Sequence, residues 1–576
     1  MQTYVPPVDD YRFLMTEVLD FDRAMAELGM EVDSDLAAAV LEEAGRLCAE
    51  RLHPLNRSGD EEGSRLIDGA VKLPQGFADA YREFQEAGWA SLSSSPEYGG
   101  QGLPFILQLW LDEMLSATNL SFGLIPGLTR GACEAINAHA SDSLKAAYLP
   151  PMVRGEWTGA MALTESGAGT DLALLKTKAD PRDDGSHAIT GTKIFISSGD
   201  HDMGGNIVHL VLARLPDAPE GVKGISLFLV PKFLPDASGR FTVRNAMSVG
   251  ALEKKMGIHA QPTCVMNYDG ATGWLVGEPH KGLAAMFTMM NAERLMVGIQ
   301  GLGIAGGAYQ QAAGYARERL QGRSADGSHG PVAIIDHADV RRMLLNVRAF
   351  VEGGRALAGW TALQLDRAHR HPDAAERARA DALVALLTPV VKAGFTDFGF
   401  ESAVQAQQVF GGHGYIREWG MEQYVRDARI AQIYEGTNGV QAMDLVGRKL
   451  SLAGGAVAEG FFDLVSSDLE GHGAPVADRT REALQLLREA TAALRGADTD
   501  ELGAAAVDYL RLFALVSMGW MWTRMAAVAK DDTPLHAAKR AVADFFARRM
   551  LPQAQGLAAS LSAGAQPMMR LPADAF

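Results

Sequence analysis

The chain has 576 residues, of which 47% are hydrophobic and 21% charged, and a formal net charge of −17. That length requires several folding units at roughly 150 residues each, and the negative balance argues against bulk capture of nucleic-acid phosphates. Three scattered cysteines, Cys48, Cys133 and Cys264, form no C-x-x-C pair, so neither a disulfide framework nor a metal site is expected, and the sparse thiols fit a cytoplasmic protein.

The start, MQTYVPPVDDYRF, has acids and prolines where a signal peptide carries a basic end and an apolar run. From Asp10 to about Pro150 the pattern is helical: Leu36, Val40, Leu41, Ala44, Leu47 and Cys48 recur at helical spacing, with Ser34 and Asp35 at the N-cap place. Ser95-Pro-Glu-Tyr-Gly-Gly-Gln-Gly-Leu103 interrupts the helices. Between about Glu156 and Pro279 the texture becomes that of an antiparallel β domain, with strands expected at Ile189–Ser197, Ile207–Ala213, Ile225–Val230 and Thr263–Tyr268. From Gly282 to about Leu452 the helical period returns, in long stretches such as Asp339–Arg370 and Ala374–Phe400 that lack proline except at Pro389. The remainder reads as more helix behind a linker at Gly454-Gly455 or Gly471–Pro475. The apolar run Leu512–Thr523 falls short of the ~20 residues that span a bilayer, so a buried helix is expected there and membrane contact is not. The expected parts are therefore 1–155, 156–280, 281–453 and 454–576. A β domain between helical domains makes a cleft, a favoured ligand site.

Five segments carry candidate chemistry. In Ala162-Leu-Thr-Glu-Ser-Gly-Ala-Gly-Thr-Asp171, small residues let backbone N–H groups approach a ligand, and Thr164 and Thr170 add hydroxyls; taken alone, the segment also reads as a plain turn. In Gly191–Gly199, Phe195 and Ser197 sit two apart and so share one strand face, which suits shielding of a flat ring or simply a half-buried strand. Asn291-Ala-Glu-Arg-Leu295 precedes the small-residue stretch Gly298–Gly306, where Glu293 and Arg294 also fit ordinary helix charges. Arg317, Arg319 and Arg323 fit either a phosphate clamp or a basic helix end. Gln408-Val-Phe-Gly-Gly-His-Gly-Tyr415 is followed by Tyr434-Glu-Gly-Thr-Asn-Gly439, where burial in a tight turn raises a carboxylate's pKa and strengthens it as a base.

In this order and spacing the segments resemble the acyl-CoA dehydrogenase family, over about Pro96 to Lys449. The resemblance implies an α+β fold with a helical N-terminal domain, a middle β domain and a C-terminal four-helix bundle. The extra helical tail is similar to that of the larger members, and start and length are most similar to the bacterial group that acts on 3-methylmercaptopropionyl-CoA, a dimethylsulfoniopropionate-derived thioester.

The resemblance also implies FAD in the cleft. Thr164 and Thr170 would contact flavin and phosphates, with Phe195 where the family usually has tryptophan and Ser197 where it has threonine. Gln408 and Gly412 would line the adenine side, Thr437 would touch FAD, and Arg319 would reach the FAD of a neighbouring subunit, implying a homodimer or dimer of dimers. Glu435 would be the base that removes the α proton of an acyl-CoA while flavin N5 takes the β hydride, with Arg294, Tyr434 and Gly436 lining the substrate. The Glu435 N–H and a ribityl hydroxyl would hold the thioester oxygen. Some members carry their base at the place of Glu293; this chain has both carboxylates, and the complete Tyr-Glu-Gly-Thr context selects Glu435. Electron-transferring flavoprotein is the expected acceptor. The alternatives are a straight-chain medium- or long-chain enzyme, an acyl-CoA oxidase, or a non-catalytic nucleic-acid-binding relative, for which the slightly acidic tail is unsuited.

Overall fold

The computed structural model describes residues 2–576. The chain folds as two compact units, one of residues 1–46, 104–118 and 294–576 and the other of 47–103 and 119–293. The division passes through two long helices, Phe105–His139 beside Asn119, whose backbone leaves helical geometry (φ −162°, ψ 87°), and Gly282–Glu318 between Glu293 and Arg294.

The unit containing residues 119–293 is built around a seven-stranded sheet. The four strands expected from sequence are present as His187–Ser197, Asn206–Arg214, Ile225–Pro231 and Thr263–Val276. Asn206–Arg214 and Ile225–Pro231 are buried almost throughout, because apolar residues occupy both faces. The sheet is not wholly antiparallel: Trp157–Ala162 runs parallel to Asn206–Arg214, two other strands having been laid down between them. A small hairpin, Arg65–Ile67 with Ala70–Lys72, also interrupts the expected helical region; its turn is Asp68-Gly69, both at positive φ, the dipeptide favoured by tight hairpins.

One bulge matters for the site. Ile196 pairs with Cys264 but Lys193 pairs with Met266, so the strand carries one extra residue there. Phe195 takes up the left-handed conformation (φ 60°) and its side chain is 59% exposed. Simple alternation from buried Lys193 would have turned Phe195 inward; the bulge turns it out, leaving Ile196 in the core.

The other unit is helical. The helix Ser34–Leu47 buries Ala37, Ala38, Leu41 and Ala44, while Leu36 is 47% exposed, so the apolar stripe is rotated from the expected one. Its N-terminus is capped by Asp33, whose carboxylate accepts from Leu36 N at 2.8 Å; Ser34 turns instead to Asp22. The C-terminal extension packs on the bundle through aromatics: Trp520 meets Trp360 edge-on at 5.0 Å, and Trp522 Nε1 donates to the Ala349 carbonyl at 3.0 Å. Successive positive φ angles at Ala453, Gly454 and Gly455 turn the chain into the extension. By length and composition two stretches, Ala374–Val409 and Thr499–Val528, are apolar enough to cross a membrane, contrary to the expectation from Leu512–Thr523 alone; in this fold 83% and 67% of their apolar 18-residue windows are buried.

Candidate active site

Glu435 sits in the irregular turn between the helices Met421–Ala431 and Asn438–Gly447. Its backbone is left-handed (φ 56°), and Gly436 follows at φ 81°. A glutamate held there is strained and needs surrounding bonds to fix it. They are present. Asn438 N donates to Gln432 O at 3.0 Å, and Gln441 Nε2 to the Glu435 carbonyl at 3.3 Å. Lys392 Nζ donates to the Gly436 carbonyl at 2.8 Å, and Tyr434 hydroxyl to Gln300. Thr437 Oγ1 accepts from Val440 N and so caps the next helix.

Burial pushes the Glu435 carboxyl up to about 7, with the Arg294 and Lys392 cations pulling the other way. Arg294 is itself buried, which lowers its pKa against the opposing pull of Glu435 and Asp444. A carboxylate poised near neutrality between two cations is suited to taking up a proton reversibly.

The Gln408–Tyr415 segment is held by rings. Tyr315 stacks on Phe410 at 4.1 Å and donates to or accepts from His413 Nδ1 at 2.8 Å, and His413 stacks on Trp419 at 4.5 Å. Gln408 and Gly412 are exposed above this cluster, and a Cβ on Gly411 or Gly412 would meet nothing within 4 Å. Arg319 lies just past the helix Gly282–Glu318 and is exposed, as are Arg317 and Arg323.

Thr164, Thr170, Phe195 and Ser197 belong to the sheet-containing unit. There the Ala162–Asp171 loop is pinned by Glu165, whose carboxylate accepts from Lys193 Nζ (2.8 Å), Thr177 Oγ1 (2.6 Å) and the amides of Lys176 and Thr177. Gly167 and Gly169 have open space where a Cβ would project. Glu293 is buried in this unit, where a Cβ on Gly131 would come 2.6 Å from its Oε1.

Four family models match consecutive parts of the chain: the acyl-CoA dehydrogenase N-terminal domain over 34–156, middle domain over 160–271 and C-terminal domain over 280–450, and the acetyl-CoA dehydrogenase C-terminal-like model over 461–572. The 3-methylmercaptopropionyl-CoA dehydrogenase of Ruegeria pomeroyi is 45% identical over 95% of this chain and 96% of its own length. The chain belongs to the acyl-CoA dehydrogenase family. Membership makes it an oxidoreductase of acyl-CoA thioesters with FAD as cofactor. The broad-specificity linear acyl-CoA dehydrogenase FadE5 of Mycobacterium tuberculosis is 33% identical, with 96% of each chain covered. The crystal structure of an acyl-CoA dehydrogenase complexed with FAD from Bacillus anthracis shares the fold, with a TM-score of 0.75 at 20% identity over 93% of this chain and 89% of that one.

Within the sheet-containing unit this acyl-CoA dehydrogenase offers groups that fit a flavin: an outward-facing aromatic at Phe195, hydroxyls at Ser197, Thr164 and Thr170, and the glycines Gly167 and Gly169 open to close approach. Sequence reasoning missed the residues that hold these elements. Lys392 was legible only as a lone cation in the apolar run Leu386–Phe395, and Glu165 only as a carboxylate inside a glycine-rich loop.

Proposed function

We propose that the chain converts a short acyl-CoA to its trans-2-enoyl-CoA with Glu435 as the base. The observation that carries this is a carboxylate fixed in a left-handed turn, pushed up to about 7 by burial and flanked by Arg294 and Lys392. Glu435 takes the α proton, and the charge that develops on the thioester oxygen is met by the Glu435 N–H. Arg294, Tyr434 and Gly436 line the acyl end. Thr164, Thr170, Phe195, Ser197, Gln408, Gly412 and Thr437 hold FAD, with Arg319 reaching the cofactor of a second subunit in a homodimer. Bound FAD supplies the two-electron acceptor for the β hydrogen. Electrons then pass to an electron-transferring flavoprotein, and the enzyme works in the cytoplasm. The four parts 1–155, 156–280, 281–453 and 454–576 are its domains.

The substrate we assign is 3-methylmercaptopropionyl-CoA, on the strength of 45% identity to a relative of that name over nearly its whole length. A second reading, a straight-chain acyl-CoA, is favoured by the full-length similarity to a linear-chain enzyme. The thioether acyl group is pentanoyl with sulfur in place of one methylene, a smaller change than losing a whole methylene, which itself is worth only about 10- to 200-fold. Anaerobic bleaching of the flavin by matched acyl-CoAs decides between them. A kcat/KM for 3-methylmercaptopropionyl-CoA at least as high as for pentanoyl-CoA supports the assignment; a clear preference for pentanoyl- or longer acyl-CoA overturns it. Stoichiometric peroxide formation in air, with no acceleration by electron-transferring flavoprotein, would instead make the enzyme an oxidase.

A further inference from the structure

The helix Ala374–Pro389 does not stop at Pro389; it passes into a π turn, Val390–Gly394, and continues as Phe395–Val409. A π turn inserts a residue and rotates the downstream helix by ~100° relative to an uninterrupted one. Lys392 lies within it, and its side chain is completely buried. A buried ammonium needs acceptors. Lys392 Nζ has the Gly436 carbonyl at 2.8 Å and Asn438 Oδ1 at 2.9 Å. The π turn and the helix beyond it add three more bonds. Asp397 Oδ1 accepts from Asn438 Nδ2 at 2.7 Å and from Gln432 Nε2 at 2.6 Å, and Asn438 Nδ2 also reaches the Ala393 carbonyl at 3.2 Å. Thus residues 432, 436 and 438, on both sides of Glu435, are tied to the π turn and the first turn of the helix that follows it.

We propose that Lys392 is the positioning residue of this active site, locking the left-handed Glu435-Gly436 turn through the Gly436 carbonyl and Asn438 and placing its ammonium charge beside the turn that carries Glu435. The proposal rests on the reading of Glu435 as base. The charged groups around that carboxylate are Arg294, from the helix Gly282–Glu318, and Lys392; Asp397 stands behind Lys392, and Asp444 and Arg448 behind Arg294. Burial lowers the Lys392 pKa to about 8, against the pull of Glu435 and Asp397, so it is still largely charged at neutral pH. Arg294 acts on the carboxylate from the helix Gly282–Glu318, whereas Lys392 also holds the turn itself through the Gly436 carbonyl.

The test uses the holoenzyme of Lys392→Met and Lys392→Gln. In Lys392→Met we expect kcat at pH 7 to fall about ten- to a hundredfold, the scale of a misplaced catalytic group, with KM changed less. The acid limb of the kcat–pH profile, and the Glu435 carboxyl titration followed by infrared difference spectroscopy, should both move to higher pH. Lys392→Gln restores a donor but no charge, so it should recover part of kcat and none of the limb shift. Unchanged kcat and an unmoved titration in either variant that retains flavin would overturn the proposal. A merely structural lysine would lower stability without moving the carboxyl titration, which also counts against it. Glu435→Gln, run alongside, separates the two readings: if that variant is active the base has been misassigned, whereas if it is dead and Lys392→Met is normal, only the role of Lys392 fails.

Discussion

Lys193 Nζ and Glu165 Oε1 lie 2.8 Å apart in the sheet-containing unit, with the lysine side chain wholly out of solvent. Burial raises the Glu165 pKa, but Lys193, Thr177 and the Lys176 amide outweigh it, and the carboxyl stays below its ordinary range. Removing one member of such a pair strands the other's charge. Glu165→Ala is expected to cost about 3–5 kcal/mol in denaturant unfolding and to lower the flavin content by loosening the Thr164–Thr170 loop. Glu165→Leu combined with Lys193→Met should recover much of the stability.

The C-terminal extension inserts a cation into the helical unit. Lys539 is buried against Asp10 and, at 2.8 Å, Glu352, while Arg355 bridges Asp10 and Glu113. For Asp10, burial raises the pKa but Lys539 and Arg355 bring it down to about 2. Its folded pKa is below the unfolded one, so its contribution to stability is present above the ordinary carboxylate range and is lost as pH falls toward 2. Asp10→Asn should flatten that part of the stability–pH curve, and Lys539→Met should cost about 3–5 kcal/mol near neutrality, both read from urea unfolding.

Two glycine substitutions should have opposite signs. A Cβ on Gly303 would sit 2.4 Å from the Glu113 carbonyl oxygen, backbone that cannot give way, whereas a Cβ on Gly460 would meet nothing within 4 Å. Gly303→Ala is expected to destabilise by about 1–3 kcal/mol. Gly460→Ala, in the helix Ala456–Leu469, should stabilise by up to ~1 kcal/mol. Thermal unfolding distinguishes them.

The Glu435 carboxyl, raised to about 7 by burial, fixes the direction of two pH effects. The base works only when ionised, so flavin reduction should rise about tenfold per pH unit below neutrality and level off above it. Its folded pKa is above the unfolded value, so ionising it in place costs stability as pH rises from the ordinary carboxylate range through about 7. Glu435→Gln should abolish that slope in unfolding experiments.

Much of this was legible in the chain. Strands such as Asn206–Arg214 announce themselves because both faces are apolar. The Tyr-Glu-Gly-Thr segment stands out because a glycine after a carboxylate marks a tight turn, and Gly436 takes up the left-handed conformation there at no steric cost. What was hidden is non-local or off-period. The bulge at Phe195 breaks strand alternation. The π turn at Val390–Gly394 breaks helical period and so conceals which way Lys392 points. Asp33 rather than Ser34 caps its helix because Ser34 bonds to Asp22, twelve residues away.

The most direct test is rapid anaerobic mixing with acyl-CoA, monitoring the flavin absorbance of wild type, Glu435→Gln and Glu293→Gln at equal flavin content. With Glu435 as the base, wild type and Glu293→Gln bleach, and Glu435→Gln stays yellow with reduction slowed at least ~10³-fold. Bleaching by Glu435→Gln, with loss in Glu293→Gln, would contradict that assignment.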